Sequence, residues 1–255
     1  MTGIGIIGTD DVVYIADNLP ETMELAELSL KALKHVFIAQ PDLLNMKQIQ
    51  YLKKLAEESG VVLQLGTGYK YCPVYHLLAK TMQTAMMVDI RYQLANNNDL
   101  HTQLKMKLYY VFDFVSDILN TSIAKLDVKT WTKTEKSPDL LHCILACDNG
   151  CTVNLMAYTV VDGEQKLEMT FTSSDTVIRT DIFTSVVAKL NRTCNETDNM
   201  TLDAYNEKSV QQYYLRNFNR AICNEQDAIR SIDKQFQNIA AADYIIEKIS
   251  NKDIS

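Results

Sequence analysis

Three short apolar runs separated by two amphipathic stretches set the terms for the first third of the chain. Residues 11–16, DVVYIA, are β-branched and aromatic, the composition of a strand buried on both faces. ETMELAELSLKALK follows, with Met23, Leu25, Ala26, Leu28, Leu30, Ala32 and Leu33 as the apolar positions of a helix. Asp17 and Asn18 can cap that helix, and Pro20 suits its first turn. HVFIA, residues 35–39, reads as a second strand. Residues 42–59 read as a second amphipathic helix ended by Gly60, and VVLQLG, residues 61–66, as a third strand. Strand, helix, strand, helix, strand is the pattern of a parallel α/β layer, and right-handed crossovers lay its helices against the sheet.

After about residue 105 the texture changes. Residues 107–118 have a helical pattern. LDVKTWTKT, LLHCILAC, TVNLMAYTVV and KLEMTFTSS are four strand-like runs joined by turn signals at SPD, DNG and DGE, which predicts an antiparallel meander. A polar loop over 191–201 and two helices, over 207–224 and 226–249, complete the chain. The expected fold class is therefore α/β: a partial Rossmann-like parallel sheet in residues 1–80, then an α+β domain with an open antiparallel or mixed sheet in residues 81–255, joined through 80–105. Within TVNLMAYTVV, Val153, Leu155, Ala157 and Thr159 suit a face covered by helices. Thr152, Asn154, Met156 and Tyr158 suit a protein–protein interface.

A net charge of −7 argues against a phosphate-backbone binder, whose affinity rests on clustered Lys and Arg. No apolar run is long enough for a membrane helix. The leader MTGIGIIGTDD has no basic segment and does not read as an export signal, so the six cysteines are expected as free thiols of a cytoplasmic protein. CILACDNGC places Cys143, Cys147 and Cys151 at x3 spacing around an Asp-Asn-Gly turn, which fits strand cysteines better than a zinc knuckle, and no metal is expected. The sequons at Asn191, Asn195 and Asn199 mark a polar loop.

Residues 3–8 spell G-x-G-x-x-G. In a dinucleotide site the first glycine ends a strand, the last lies in a helix, and the pyrophosphate rests on that helix's N-terminus. Here only two residues precede Gly3, and a strand rather than a helix follows Gly8. The hexapeptide reads as a strand-like leader and not as a cofactor loop.

DVVYIADNLPETMELAELSLKALKHVFIAQP resembles the second half of the nucleotide-binding domain of the Gfo/Idh/MocA oxidoreductases, where a strand like DVVYIATP, a helix and GKHVFVEKP follow one another. Gly66 to Pro73 stand where that family has a Gly-aromatic-Arg-Phe-Pro corner. The strand runs after residue 120 and YYLRNFNRAI resemble its open-faced sheet domain and the helices after it. The resemblance implies a Rossmann-type fold, NAD(P) as cofactor, a sugar or sugar nucleotide as substrate, and dimers formed through the open sheet face. Four departures stand against activity. The family's first βαβ unit is absent or collapsed into MTGIGIIG. Its Glu-Lys-Pro lysine is replaced by Gln40 in Ala39-Gln40-Pro41, and its early helical histidine by Thr22. Its helical His-Asp-x-Asp matches Phe112-Asp113-Phe114-Val115, which keeps only Asp113.

Proton transfer to or from a sugar hydroxyl needs a group such as lysine or histidine, and Gln40, Thr22 and Phe112 cannot supply it. The candidate cleft residues are Asp17, Asn18, Gln40, Pro41, Tyr69, Lys70, Tyr71 and Asp113. Lys70 with Tyr69, Tyr71 and Tyr75 can contact a sugar or an anionic group, since open α/β sheets bind ligands beyond the carboxyl ends of their strands. The plainer reading makes Lys70 a solvated lysine beside packing aromatics, and Asp113 and Asp117 a solvated helix face. Gln40 and Pro41 also suit a structural corner. The leading expectation is a catalytically degenerate binding or assembly protein without a cofactor. It would form a homodimer through the C-terminal sheet, or a heteromer with an active paralogue in carbohydrate or cell-envelope metabolism. The alternatives are an NAD(P)-dependent oxidoreductase with an atypical site and a small-ligand sensor.

Overall fold

The computed structural model describes residues 6–9, 11–15, 21–41, 44–66, 69–70, 72–95, 100–131, 140–160, 164–194, 196–203, 207–223 and 228–250. The chain divides into two compact units, Met1–Gly68 with Lys208–Ala240, and Tyr69–Glu207 with Ala241–Ser255.

The first unit holds a four-stranded sheet in the order β1 (Ile6–Thr9), β2 (Val12–Ile15), β3 (His35–Ile38), β4 (Leu63–Leu65). The three strands expected from the apolar runs pair in parallel, with Val13 beside Val36 and Ile38 beside Leu65. Helix α1 (Thr22–Lys31) buries Thr22, Ala26 and Leu30, a stripe at i, i+4 and i+8, while Leu28 stays exposed. Helix α2 begins later than expected and spans Met46–Ser59. Its start is decided by a capping box: the Asn45 side chain accepts from the Gln48 amide at 3.0 Å, and the Gln48 side chain accepts from the Asn45 amide at 2.9 Å. Gly60, at φ 66°, ends it in the left-handed conformation that favours glycine.

The edge beside DVVYIA does not remain open for a second subunit. Strand β1 runs antiparallel to β2, with Gly8 opposite Val13, and closes that edge within the chain. The returning helices α5 (Glu207–Ile222) and α6 (Ala228–Ser250) serve the rest of the sheet. Phe37 of β3 stacks on Tyr14 at 5.1 Å and is met by Tyr214 and Phe218 of α5. Gln235 of α6 donates to the Leu65 carbonyl at 2.7 Å, capping the last residue of edge strand β4.

The second unit contains α3 (Pro73–Thr81), β5 (Met87–Ala95), α4 (Leu100–Ile118), and then β6 (Ile123–Trp131), β7 (Leu140–Cys147), β8 (Thr152–Val160), β9 (Lys166–Thr172), β10 (Thr176–Asp181), β11 (Val186–Asn191) and β12 (Glu196–Thr201). Its eight-stranded sheet has the order β12-β11-β10-β9-β5-β8-β7-β6. The expected four-strand meander is corrected here. Of the four strands expected to form it, only β6, β7 and β8 are successive neighbours. Strand β5, from the expected joining region, inserts between β8 and β9, parallel to the first and antiparallel to the second. The expected 191–201 loop is corrected too: Asn191 ends β11, and β12 pairs back on β11 as an edge strand.

The two faces of this sheet separate as the alternation predicts. Val153, Leu155 and Ala157 are buried with Val88, Ile90 and Tyr92 of β5, whereas Met87 and Met156 are exposed on the other face. Cys143, Cys147 and Cys151 are buried free thiols beside a turn in which Gly150 takes φ 85°. Among the described residues no helix is long and apolar enough to cross a membrane.

Two positions make the first unit testable. A Cβ on Gly66 would lie 2.2 Å from the Ala39 carbonyl oxygen, so Gly66→Ala is expected to cost about 2–3 kcal/mol of stability, measured by urea unfolding. His35 Nδ1 accepts the Val62 amide at 2.9 Å, and burial lowers its pKa below the ordinary histidine value, against a smaller opposing pull from Asp11. The folded state therefore binds fewer protons than the unfolded one. The contribution of His35 is fully present above the ordinary histidine pKa and is lost as pH falls through the depressed folded value. Unfolding free energy is expected to decline from about pH 7 to about pH 5, with a shallower slope in His35→Gln.

Candidate functional site

A polar seam in the second unit gathers side chains from α3, α4, β5 and the segment before α3. Cys72 caps α3, its sulfur accepting from the Tyr75 amide at 3.4 Å, with Pro73 in the first turn. Burial pushes the Cys72 thiol up to about 11, which favours the neutral thiol at this cap. Helix α4 is apolar over most of its surface, yet Lys107, Tyr110, Asp113 and Asp117 recur every three or four residues along one side.

Lys70 meets this stripe. Its Nζ lies 3.1 Å from Asp113 Oδ2 and 3.3 Å from Asp117 Oδ1, and the Tyr75 hydroxyl donates to Asp117 Oδ2. Lys70 is 8 % exposed and Asp113 1 %, so the readings of a solvated lysine and a solvated carboxylate face are corrected. Asp117, with 31 % of its side chain exposed, is the most open of the three charges. The reason is electrostatic: a buried charge of either sign is held only when paired, and each of these residues supplies the other's partner. Chemically, the arrangement is a donor clasped by two acceptors. To abstract a proton Lys70 would have to leave both carboxylates beside a neutral amine.

Next to this clasp, the Tyr69 and Tyr92 hydroxyls share a short hydrogen bond, and Gln165 Nε2 donates to Tyr92 at 2.7 Å. Burial raises the Tyr92 phenol above its ordinary value. Lys107 Nζ stands 5.9 Å from the centre of the Tyr92 ring, and burial lowers its pKa. Tyr69 is flanked edge-on by Tyr110 and Phe183.

Of the sequence candidates, Tyr69, Lys70 and Asp113 belong to this seam. Gln40 is half-buried and Pro41 buried just after β3 in the first unit, where the Pro41 carbonyl accepts from the Leu44 amide at 3.0 Å. Asp17, Asn18 and Tyr71 lie outside the described residues. Sequence reasoning missed Tyr92, Lys107, Tyr110 and Gln165. The spacing of Lys107, Tyr110, Asp113 and Asp117 within an otherwise apolar helix was the available signal for two of them.

No family profile and no curated sequence matches the chain. Solved structures do. The UDP-N-acetylglucosamine 3-dehydrogenase GnnA from Acidithiobacillus ferrooxidans aligns over 94 % of this chain and 79 % of its own, at 17 % identity and a TM-score of 0.77. The fold is that of the Gfo/Idh/MocA-type dehydrogenases. An NAD binding oxidoreductase from Klebsiella pneumoniae aligns over 93 % and 78 %, at 13 % identity and a TM-score of 0.75. A biliverdin reductase from Synechocystis sp. PCC 6803, solved with biliverdin and NADP+, aligns over 94 % and 79 %, at 13 % identity and a TM-score of 0.71. Nicotinamide cofactors thus accompany this fold in its solved neighbours, and the expectation of a chain without one draws no support from them.

A dinucleotide pyrophosphate needs a glycine turn between a strand and the N-terminus of a helix. Gly8 instead sits inside antiparallel strand β1, opposite Val13, and the chain passes from β1 straight into β2. Gly8, so placed, does not fit a pyrophosphate cradle; Gly3 and Gly5 lie outside the described residues.

The ion-pair clasp predicts a non-additive mutant pair. Lys70→Met is expected to cost about 3–5 kcal/mol by leaving Asp113 buried without its counter-charge. Adding Asp113→Leu should recover most of that loss, as read from the urea unfolding of both variants.

Proposed function

We propose that the chain keeps the scaffold of an NAD(P)-dependent dehydrogenase but works as a binding or assembly protein. The observation that carries this reading is the antiparallel β1–β2 hairpin, which stands where a dinucleotide fold needs a glycine turn leading into a helix. The clasped Lys70 supports it, since two carboxylates hold its ammonium and keep it from serving as a base. The working surface is then the open face of the eight-stranded sheet, where Met87, Met156, Ile144 and Val186 are exposed among polar neighbours. Its partner is a second copy of the chain or an active paralogue. Six free cysteines suit a reducing compartment, and we place the protein in the cytoplasm.

A second reading is favoured by the neighbours. One is a sugar-nucleotide dehydrogenase and another was solved with NADP+. In this reading the chain is an oxidoreductase on a sugar or sugar nucleotide with an atypical cofactor site. Calorimetric titration with NAD+, NADH, NADP+ and NADPH separates the two. Absence of saturable binding at millimolar cofactor is the expected result. Binding in the micromolar range, about −8 kcal/mol, would put the oxidoreductase reading first.

A further inference from the structure

The hairpin that joins β7 to β8 sets two cysteines directly across from one another. Ala146 pairs with Thr152, and the next step of that register places Cys147 opposite Cys151. The Cys147 amide donates to the Cys151 carbonyl at 2.9 Å, and the Gly150 amide closes the turn on the Cys147 carbonyl at 3.0 Å. Side chains directly opposite in a sheet leave it on the same face. Along β7 that face carries Leu141, Cys143, Leu145 and Cys147, all buried, and Cys151 is buried with them. Hydrogen-bonded partners in an antiparallel pair stand about 5.5 Å apart between Cα atoms, inside the range of about 4.4–6.8 Å that a disulfide spans.

Both thiols are free. Cys143 supplies the contrast. It lies on the same strand and face, but its cross-strand neighbours are Val128 and Leu155, so no thiol stands opposite it. Cys143 is 0 % exposed, whereas Cys147, at 7 %, ends β7 beside the exposed turn of Asp148, Asn149 and Gly150. Burial pushes both thiols of the pair up to about 11, with smaller pushes from Asp148 on Cys147 and from Cys147 on Cys151. They rest as neutral thiols, and a reactive thiolate forms once opening of the turn lets water reach the sulfur.

The turn is also a fastening point. Asn149 Nδ2 donates to the Leu119 carbonyl and the Asn149 amide to Thr121 Oγ1, both at 3.2 Å. The Asp148 amide donates to the Ser122 carbonyl at 3.1 Å. These bonds tie the hairpin tip to the segment directly after α4, the helix that carries Asp113 and Asp117.

We infer that Cys147 and Cys151 form a reversible disulfide that clamps the β7–β8 turn onto the end of α4. The oxidant is a small disulfide, with glutathione disulfide as the probe. One cysteine loses its proton and attacks a sulfur of the small disulfide, whose S–S bond breaks and releases one glutathione thiolate. The second cysteine, deprotonated in turn, attacks the protein-side sulfur of the mixed disulfide and releases the second glutathione. The pair gives up two electrons and two protons, and the two glutathione thiols carry both away. Reduced glutathione reverses the exchange. In a reducing compartment a disulfide of this kind is transient and redox-sensing.

The test is thiol mapping of the folded full chain after equilibration with glutathione disulfide, with the reduced chain as reference. Remaining thiols are alkylated, and mass spectrometry reads the peptide that holds Cys143, Cys147 and Cys151. The expected result is an alkylated Cys143, a Cys147–Cys151 bond two hydrogens lighter than the thiol pair, and recovery of both thiols in reduced glutathione. Cys151→Ala is expected to leave Cys147 as a persistent mixed disulfide. Amide hydrogen exchange over 119–122 and 148–150 is expected to slow in the oxidised chain. Full alkylation of all three cysteines, or closure only after unfolding in urea, overturns the disulfide. Equal exchange in the two forms overturns the clamp. Both readouts come from the wild type, so neither depends on a variant that folds, and neither changes with the outcome of cofactor titration.

Discussion

The first unit is governed by the cost of leaving a sheet edge unpaired. Three parallel strands of three or four residues are a small sheet, and each bare edge exposes amide and carbonyl groups that must find partners. The chain meets this constraint on both sides with what it has to hand. Strand β1 folds back on β2, and Gln235 reaches the last carbonyl of β4. Closing the first edge with an antiparallel hairpin has a chemical consequence. Gly8, which could have served a turn from strand to helix, is held inside strand β1 instead.

The second unit shows the same economy with charge. Its polar seam is largely buried, and the charges at its centre are matched against one another. Lys70 answers Asp113 and Asp117, and Tyr75 answers the free side of Asp117. Such a clasp is costly to break and adds little when compared with an apolar packing of equal volume, so its value lies in fixing geometry. The hydroxyls of Tyr69 and Tyr92 and the amide of Gln165 extend the network toward β5. Lys70, held between two carboxylates, is arranged to donate hydrogen bonds.

On the open face, by contrast, carboxylates are met by neutral donors: Asn154 donates to Asp89, and the Phe183 and Thr184 amides donate to Asp181. The difference between the two surfaces is physical: groups on the seam lost water on folding and had to be paired with opposite charge, while groups on the open face kept part of their water. The parallel β5–β8 pairing decides which charges those are, because it carries Asp89 and Arg91 to the centre of the sheet.

Much of the first unit was legible because strands buried on both faces are written as unbroken apolar runs, as DVVYIA, HVFIA and VVLQLG are. Strand β5 was not legible in the same way. Its Met-Val-Asp-Ile-Arg-Tyr-Gln-Leu alternation is clear only once one knows that a second face is open to water. Strand β12 is polar on both faces, as an edge strand can be, and carries no period at all. Asp113 and Lys70 were visible as candidates, but which way they point was not. By itself the sequence determined the local periods, and with them the residues that share a face. Only the tertiary structure decided which strands became neighbours, and so which charges meet, because those pairings join segments far apart in the chain and depend on edges and burial that no local pattern records.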